Sequence, residues 1–296
     1  MNHSSKPDTQ NQPTQFPSQL SQIDQDSEYQ ARFGGIARLY GQAVLEQLKV
    51  SHVGIIGIGG VGTWVAEAMA RSGVGHVTLV DLDDICVTNT NRQIHATSQT
   101  VGLSKVQVMK KRMLEISPYM RVECIEDFFT SKTADLILNR SYHCLVDAID
   151  DQKRKSELIA ECLRREIPIM VSGGAGGRQN PQWVTSADLS QSTHDGLLRN
   201  VKRALRTDSA YSDLKTLIKS TSWGVPSVFS TERPVYPTEN GEVCHTMTTK
   251  DVVRLDCQLG FGASSFVTGT FGFQLSSLVI NCIKNQVRPI QQGESL

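Results

Sequence analysis

HVGIIGIGGVGTWVAEAMARSG (52–73), followed two residues later by HVTLVD (76–81), is the stretch whose reading decides the fold. HVGIIGIG (52–59) is a short apolar, β-branched run that ends in glycines, the pattern of a buried strand. VGTWVAEAMARSG (61–73) reads as a helix closed by Gly73. HVTLVD then reads as the next strand. Strand, glycine turn, helix and strand in this order make a βαβ unit.

The alternation continues downstream. A helix is expected from about Ser104 to Ile116, strands at 122–125 and 144–149 (CLVDAI), a helix at 152–165 and a strand at 167–172 (IPIMVS). The expected fold is therefore α/β: a Rossmann-like, mostly parallel sheet with helices on both faces. Beyond Gly177 the regularity fades, and Pro226, Pro234 and Pro237 sit among short apolar runs, so a less regular C-terminal region is expected. Upstream, IARLYGQAVLEQLKV (36–50) carries Ile36, Leu39, Tyr40, Ala43, Val44 and Leu48 near helical spacing. Residues 1–30 are rich in Gln, Ser, Pro and Asp, a composition that cannot offset its ordering entropy, and they read as a disordered tail.

Composition narrows the classes. The 296 residues carry 30 Lys and Arg against 30 Asp and Glu, a formal net charge of zero. That excludes a uniformly basic nucleic-acid coat but not a local basic patch. Hydrophobic residues at 39% and charged residues at 20% exclude wholesale disorder. The seven cysteines, Cys86, Cys124, Cys144, Cys162, Cys244, Cys257 and Cys282, include no CxxC pair, so no zinc site of paired thiolates is expected. An odd count with no signal-like leader points to a reducing, cytoplasmic setting, with most thiols acting as small buried hydrophobes. From Cys257 to Ile283 there is no charged side chain. That length raises a membrane-spanning or membrane-associated segment, but Gln258, Gln274 and Asn281 favour a buried core helix.

Chemistry concentrates at the first turn. Gly57-Ile58-Gly59-Gly60-Val61-Gly62 lies between strand and helix, and Asp81 ends the second strand 19 residues beyond Gly62. Glycines let a phosphate approach the backbone, the helix N-terminus offers unpaired N–H donors, and a carboxylate at Asp81 can accept ribose hydroxyls. The loop suits ATP or a nicotinamide dinucleotide; a glycine turn that merely packs helix on strand is the plain alternative. Asn89 and Arg92 follow the second strand, Lys105 opens the next helix, and Asp150 ends CLVDAI, so all fall at the carboxyl edge of the sheet. Two cations there suit a triphosphate and a departing pyrophosphate, and an aspartate suits magnesium. Taken singly, Arg92 and Lys105 read as solvated cations and Asp150 as a cap for the helix at 152–165.

GIGGVG, the aspartate of LVD, NxxR at 89–92, GLSK at 102–105 and AID at 148–150 resemble the ubiquitin-activating-enzyme-like superfamily, whose members use ATP to adenylate a carboxylate. RFGGIARLYG (32–41), DDICVTNTNRQIHA (83–96), VSGGAGG (171–177) and DCQLGFGA (256–263) are similar, within it, to the bacterial dehydratases that cyclise threonylcarbamoyladenosine beside the tRNA anticodon. The resemblance covers about residues 31–285. It implies that Gly57, Gly59, Gly60 and Gly62 line the nucleotide loop. It further implies that Asp81 holds the ribose, that Asn89, Arg92 and Lys105 hold the phosphates, and that Asp150 holds magnesium. It also implies a homodimer in which an arginine enters the partner's site. The superfamily's RYxRQ motif is RFGGIAR here, with glycine at the second arginine, which leaves Arg32 or Arg38 for that role beside Arg92, Lys105 and Asp150. A monovalent cation near 173–177 and a partner from a sulfur-transfer system are left open. The rival reading is an adenylyltransferase for a ubiquitin-like sulfur carrier; the missing CxxC pairs speak against it, and Cys244 and Cys257 are the candidate thiols if a thioester is formed. A nicotinamide-dependent dehydrogenase and a non-catalytic ATP-binding adaptor are the readings from other classes.

The expected organisation is a tail at 1–30, an ATP-binding domain at 31–180, and a region at 181–296 that binds tRNA and supports dimerisation. In RNVKRALR (199–206), Arg199, Lys202, Arg203 and Arg206 fall at i, i+3, i+4 and i+7, on one helical face, with Leu198, Val201 and Leu205 turned inward. That stripe can meet RNA phosphates; an ordinary solvated face has the same pattern.

Overall fold

The computed structural model describes residues 22–218, 221–238, 240–245 and 261–287. Two helices lead in: α1 (Gln22–Tyr40) and α2 (Gln42–Val50). Gly41 separates them with φ 98°, a conformation that favours glycine. Thus the helix expected over 36–50 is broken, and residues 22–30, expected to be tail, are helical. The reason is tertiary. Tyr29 and Phe33 are buried against Leu45, and the Tyr29 hydroxyl donates to Gly73 O at 2.6 Å.

The sheet then builds in chain order: β1 (His52–Ile56), α3 (Gly62–Arg71), β2 (His76–Val80), α4 (Lys105–Ile116), β3 (Arg121–Ile125), α5 (Ala134–Leu138), β4 (Cys144–Asp147), α6 (Gln152–Arg164) and β5 (Ile169–Ser172). Only α5 was not anticipated. Beyond it come β6 (Val184–Asp188), α7 (Gly196–Thr207), α8 (Lys215–Ile218), β7 (Pro226–Ser230), a small hairpin of β8 (Tyr236–Pro237) and β9 (Val243–Cys244), and α9 (Ser265–Val287). Seven strands form one sheet in the order β3-β2-β1-β4-β5-β7-β6, all parallel but β6, which runs antiparallel to β7. The division expected at residue 180 therefore falls inside a continuous sheet.

Side chains alternate between two cores, as strand geometry requires. Val53, Ile55, Val146 and Met170 join α3, α4 and α9 on one face. Leu145, Ile169 and Val171 join α5, α6 and α7 on the other. Every strand residue of β1, β4 and β5 is buried, as parallel strands covered on both faces must be.

The described part of the uncharged run, 261–283, is chiefly α9. It is long and apolar enough to cross a membrane. Its Val267, Phe271, Leu275, Val279 and Ile283 are buried in the core, and Gly272 lets it lie against the first turn of α3, where a Cβ would stand 2.6 Å from Trp64 Cβ. The helix is apolar because one face completes the core; Phe266 and Phe273 are exposed on its other side.

At the amino edge of the sheet, His52 and His76 sit opposite one another in register, their rings stacked at 3.5 Å. Burial and then the neighbouring His76 hold His52 at about 4. An unfolded histidine titrates near 6.5, so this stabilisation is complete above about pH 6.5 and is lost as pH falls towards 4. The urea midpoint should fall across that window, and His52→Gln should flatten the fall; equal pH profiles for the two proteins would refute the assignment.

Candidate nucleotide site

The site grows from the turn between β1 and α3. Gly57 has φ 93°, and its amide donates to Val80 O at 2.8 Å, tying the turn to β2. A Cβ at Gly62 would lie 1.8 Å from Gly57 O, so only glycine lets α3 start directly over the strand. The turn thus holds the α3 N-terminus, with its positive dipole end, at the carboxyl edge of the sheet, beside the switch point between β1 and β4.

Asp81 binds this turn from β2. Its Oδ2 accepts from Ile58 N at 2.6 Å and its Oδ1 from Asp83 N at 2.9 Å. Burial pushes its carboxyl above the usual range, while Lys105 and the two amides pull it back. Each oxygen keeps a second lone pair that a ribose hydroxyl can use. Lys105, buried at the start of α4, lies 2.8 Å from Asp83 and 3.8 Å from Asp81. Asp83, half exposed, is a second rim carboxylate that the spacing argument did not single out.

Asn89 is buried in a short 3-10 turn, where its Oδ1 accepts from Cys86 N at 3.0 Å. It shapes the loop that carries Arg92. The Arg92 Nη1 donates to Thr88 O at 2.8 Å, and its stem lies against Gly60, where a Cβ would meet Arg92 Cδ at 3.4 Å. Its carbonyl accepts from Trp64 Nε1 of α3 at 3.0 Å and from Thr268 Oγ1 of α9 at 3.3 Å. Sequence reasoning passed over Gln93, the next residue, which is buried with its amide 4.0 Å from where a Cβ of Gly59 would stand.

The end of β4 and the rim beyond it carry three acids with different work. Asp150 is exposed. Asp151 caps α6, accepting from Arg154 N at 2.8 Å, so the capping role considered for Asp150 belongs to its neighbour. Asp147 is fully buried and pairs with Lys155 at 2.9 Å, both at 0% exposure. Burial raises the Asp147 carboxyl, and Lys155 opposes that. This pair was missed. Its signal is a lysine in register with Leu158, Ile159 and Cys162 on the apolar face of a helix. Among the described residues no group of three His, Cys, Asp or Glu is placed to hold a metal. The exposed Asp150 still fits magnesium, an ion held by one or two carboxylates together with substrate phosphates.

The remaining expected residues divide. Arg32 donates to Glu28 of its own helix and to Ile116 O, whereas Arg38 is exposed in the last turn of α1. On α7, Leu198, Val201 and Leu205 are buried as expected. The four cations do not form one free stripe. Lys202 donates to Ser192 O at 2.7 Å, and Arg206 lies 5.1 Å over the Trp223 ring. Arg199 and Arg203 are exposed. Cys244 lies in the hairpin, and Cys257 falls outside the described residues.

A parallel sheet with a glycine turn, a helix N-terminus and rim cations defines a nucleotide-binding α/β protein. The chain belongs to the ThiF family, which it matches over residues 33–287. It is 44% identical over 268 residues to a tRNA threonylcarbamoyladenosine dehydratase of Escherichia coli, spanning 90% of this chain and 97% of that one. A protein of the same name from Haemophilus influenzae is 44% identical over 262 residues, 88% of this chain and 95% of that one. The solved structure of the E. coli tRNA N6-threonylcarbamoyladenosine dehydratase in complex with ATP superposes with a TM-score of 0.76 at 39% identity, covering 90% of this chain and 98% of that one.

Removing one partner of the buried Asp147–Lys155 pair should be severe. Lys155→Ala should cost about 3–5 kcal/mol in chemical denaturation. Asp147→Asn with Lys155→Met should regain more than half of that, because Asn keeps an acceptor for Ile149 N. A double variant as unstable as the single one would contradict this account.

Proposed function

We propose that this protein uses ATP to dehydrate threonylcarbamoyladenosine beside the anticodon of tRNA. The observation that carries the reading is the placing of the Arg92 stem against Gly60, and of Lys105 beside the Asp81 that binds the turn, in a chain that matches two dehydratases of that name almost end to end. Activation of a sulfur-carrier C-terminus is the weaker reading.

The chemistry follows from charge and proximity. The threonine carboxylate attacks the α-phosphate of ATP; the bond to pyrophosphate breaks and an acyl-adenylate forms. The carbamoyl group of the same residue then attacks the activated carbonyl, and AMP departs with one oxygen of the original carboxylate. Both groups sit on one nucleoside, so proximity carries much of the second step and no covalent enzyme intermediate is needed. Amides of the turn and the α3 N-terminus face the phosphates. Lys105, which bridges Asp81 and Asp83, exchanges a carboxylate for a phosphate, and Arg92 offsets charge that develops on pyrophosphate. Asp150 would hold magnesium, which supplies further charge neutralisation at the phosphates.

Around that centre, Arg38 is the arginine available to a second copy of the chain, because Arg32 is bound within its own subunit. Arg199 and Arg203 are the α7 cations open to RNA phosphates. A reducing cytoplasm suits a chain in which no disulfide forms among the described residues.

Purified protein with ATP and tRNA bearing threonylcarbamoyladenosine should yield AMP, pyrophosphate and a nucleoside lighter by one water; absence of all three would reject the function. Arg92→Ala should lower kcat by about 10²–10³-fold. Reversing Arg199 and Arg203 to Glu should weaken tRNA binding and flatten its salt dependence, with ATP affinity unchanged. Unaltered tRNA affinity would dismiss the α7 contribution.

A further inference from the structure

Arg178 follows the glycine segment 173–177 just past β5 and is only 5% exposed. Its Nη2 donates to His194 O at 2.7 Å. Among the described residues, its Nε and Nη1 are buried without a hydrogen-bond partner. A guanidinium carries five N–H donors, and a buried cation so poorly bonded is strongly disfavoured unless an anion answers it.

The neighbouring acids are engaged elsewhere. Asp195 accepts from Gly174 N at 2.8 Å and, as the cap of α7, from Leu198 N at 2.9 Å. Glu232 accepts from Gln179 N and Asn180 N, both at 3.0 Å. They act on Arg178 through space only. The unfolded chain would solvate this cation fully, so its retention in an under-bonded position points to a ligand.

The surroundings restrict what can enter. Glycines let neighbours close tightly on the backbone of 173–177: a Cβ at Gly173 would stand 2.3 Å from Asp195 Oδ2, and one at Gly176 would stand 2.7 Å from Phe261 Cβ. Phe261, 44% exposed, covers the segment, with its ring 5.3 Å from that of Tyr236. A ribose-phosphate chain is too bulky for such an enclosed cation, whereas a carboxylate on the flexible arm of an extruded nucleoside can reach it. The same stretch also touches the nucleotide rim. Asn91 Nδ2 donates to Ala263 O at 2.7 Å, and Thr268 donates to the Arg92 carbonyl. One short segment thus joins Arg178 to the loop that faces the phosphates.

We infer that Arg178 binds the carboxylate of the modified nucleoside and presents it to ATP. The inference rests on the proposed dehydratase activity, which supplies the carboxylate. One carboxylate oxygen is held by the guanidinium while the other attacks.

Full-length wild type, Arg178→Met and Arg178→Lys are compared for affinity to tRNA with and without threonylcarbamoyladenosine, for ATP affinity and for melting temperature. Arg178→Met should weaken binding of the modified tRNA by about 30-fold or more. Its affinities for unmodified tRNA and for ATP should stay within about twofold, since neither offers the carboxylate. Its melting temperature should hold or rise, because an under-bonded buried cation has been removed. Arg178→Lys should fall between the two, keeping charge without the fork. Equal weakening on both tRNAs would assign the arginine to an RNA phosphate and overturn the inference. A lower melting temperature with lost ATP binding would make Arg178 structural and overturn it too. If wild type dehydrates the modified tRNA and Arg178→Met does so with unchanged KM, the inference alone fails. If wild type forms no AMP with that tRNA, the proposed function fails and the inference goes with it.

Discussion

The rest of the molecule depends on the contact between Gly62 and the carbonyl of Gly57, an approach too close for any side chain. It lets α3 begin without a spacer, so the helix axis lies over the sheet and its N-terminus opens at the rim. Asp81, Lys105 and Arg92 are arranged about that point by their own bonds: an amide of the turn to Asp81, Asp81 and Asp83 to Lys105, and Gly60 to the stem of Arg92. Moving α3 outward by the width of a methyl group would detach all three from the place where phosphate charge must be met.

Much of this is legible in the sequence, because the signals are local. Glycine spacing, β-branched runs and the acid that ends β2 fall within thirty residues of one another. What is illegible is set across the chain. Residues 22–30 look too polar to fold, yet Tyr29 finds Gly73, 44 residues away. Spacing cannot tell Asp150 from Asp151; backbone geometry at the start of α6 assigns the cap to the second. The stripe on α7 has the helical phase expected of it, but Lys202 and Arg206 meet Ser192 and Trp223, contacts that no helical wheel contains. Lys155 is the instructive case. Its position on an apolar face is visible, and only its burial against Asp147 explains why a lysine stands there.

The zero net charge acquires a meaning from these placements. Opposite charges are sorted by depth. Exposed pairs such as Arg164 with Asp213 knit helices together and contribute little. The fully buried Asp147–Lys155 pair fixes the end of β4 and the start of α6, which positions the exposed Asp150. Lys105 lies between these extremes, buried yet paired with the half-exposed Asp83. The same overall balance thus contains a fully buried support and a rim cation that keeps one partner at the surface.

The carbonyl of Arg92 is held by Trp64 and by Thr268, the second of which belongs to the last helix of the described chain. During synthesis, the glycine turn and the rim cations leave the ribosome long before residue 268 does. Until α9 docks, the Arg92 carbonyl lacks one of its two side-chain donors and α3 lacks one of the surfaces against which it packs. The wall of the rim is therefore completed last, when the far end of the chain packs back onto the first turn of α3.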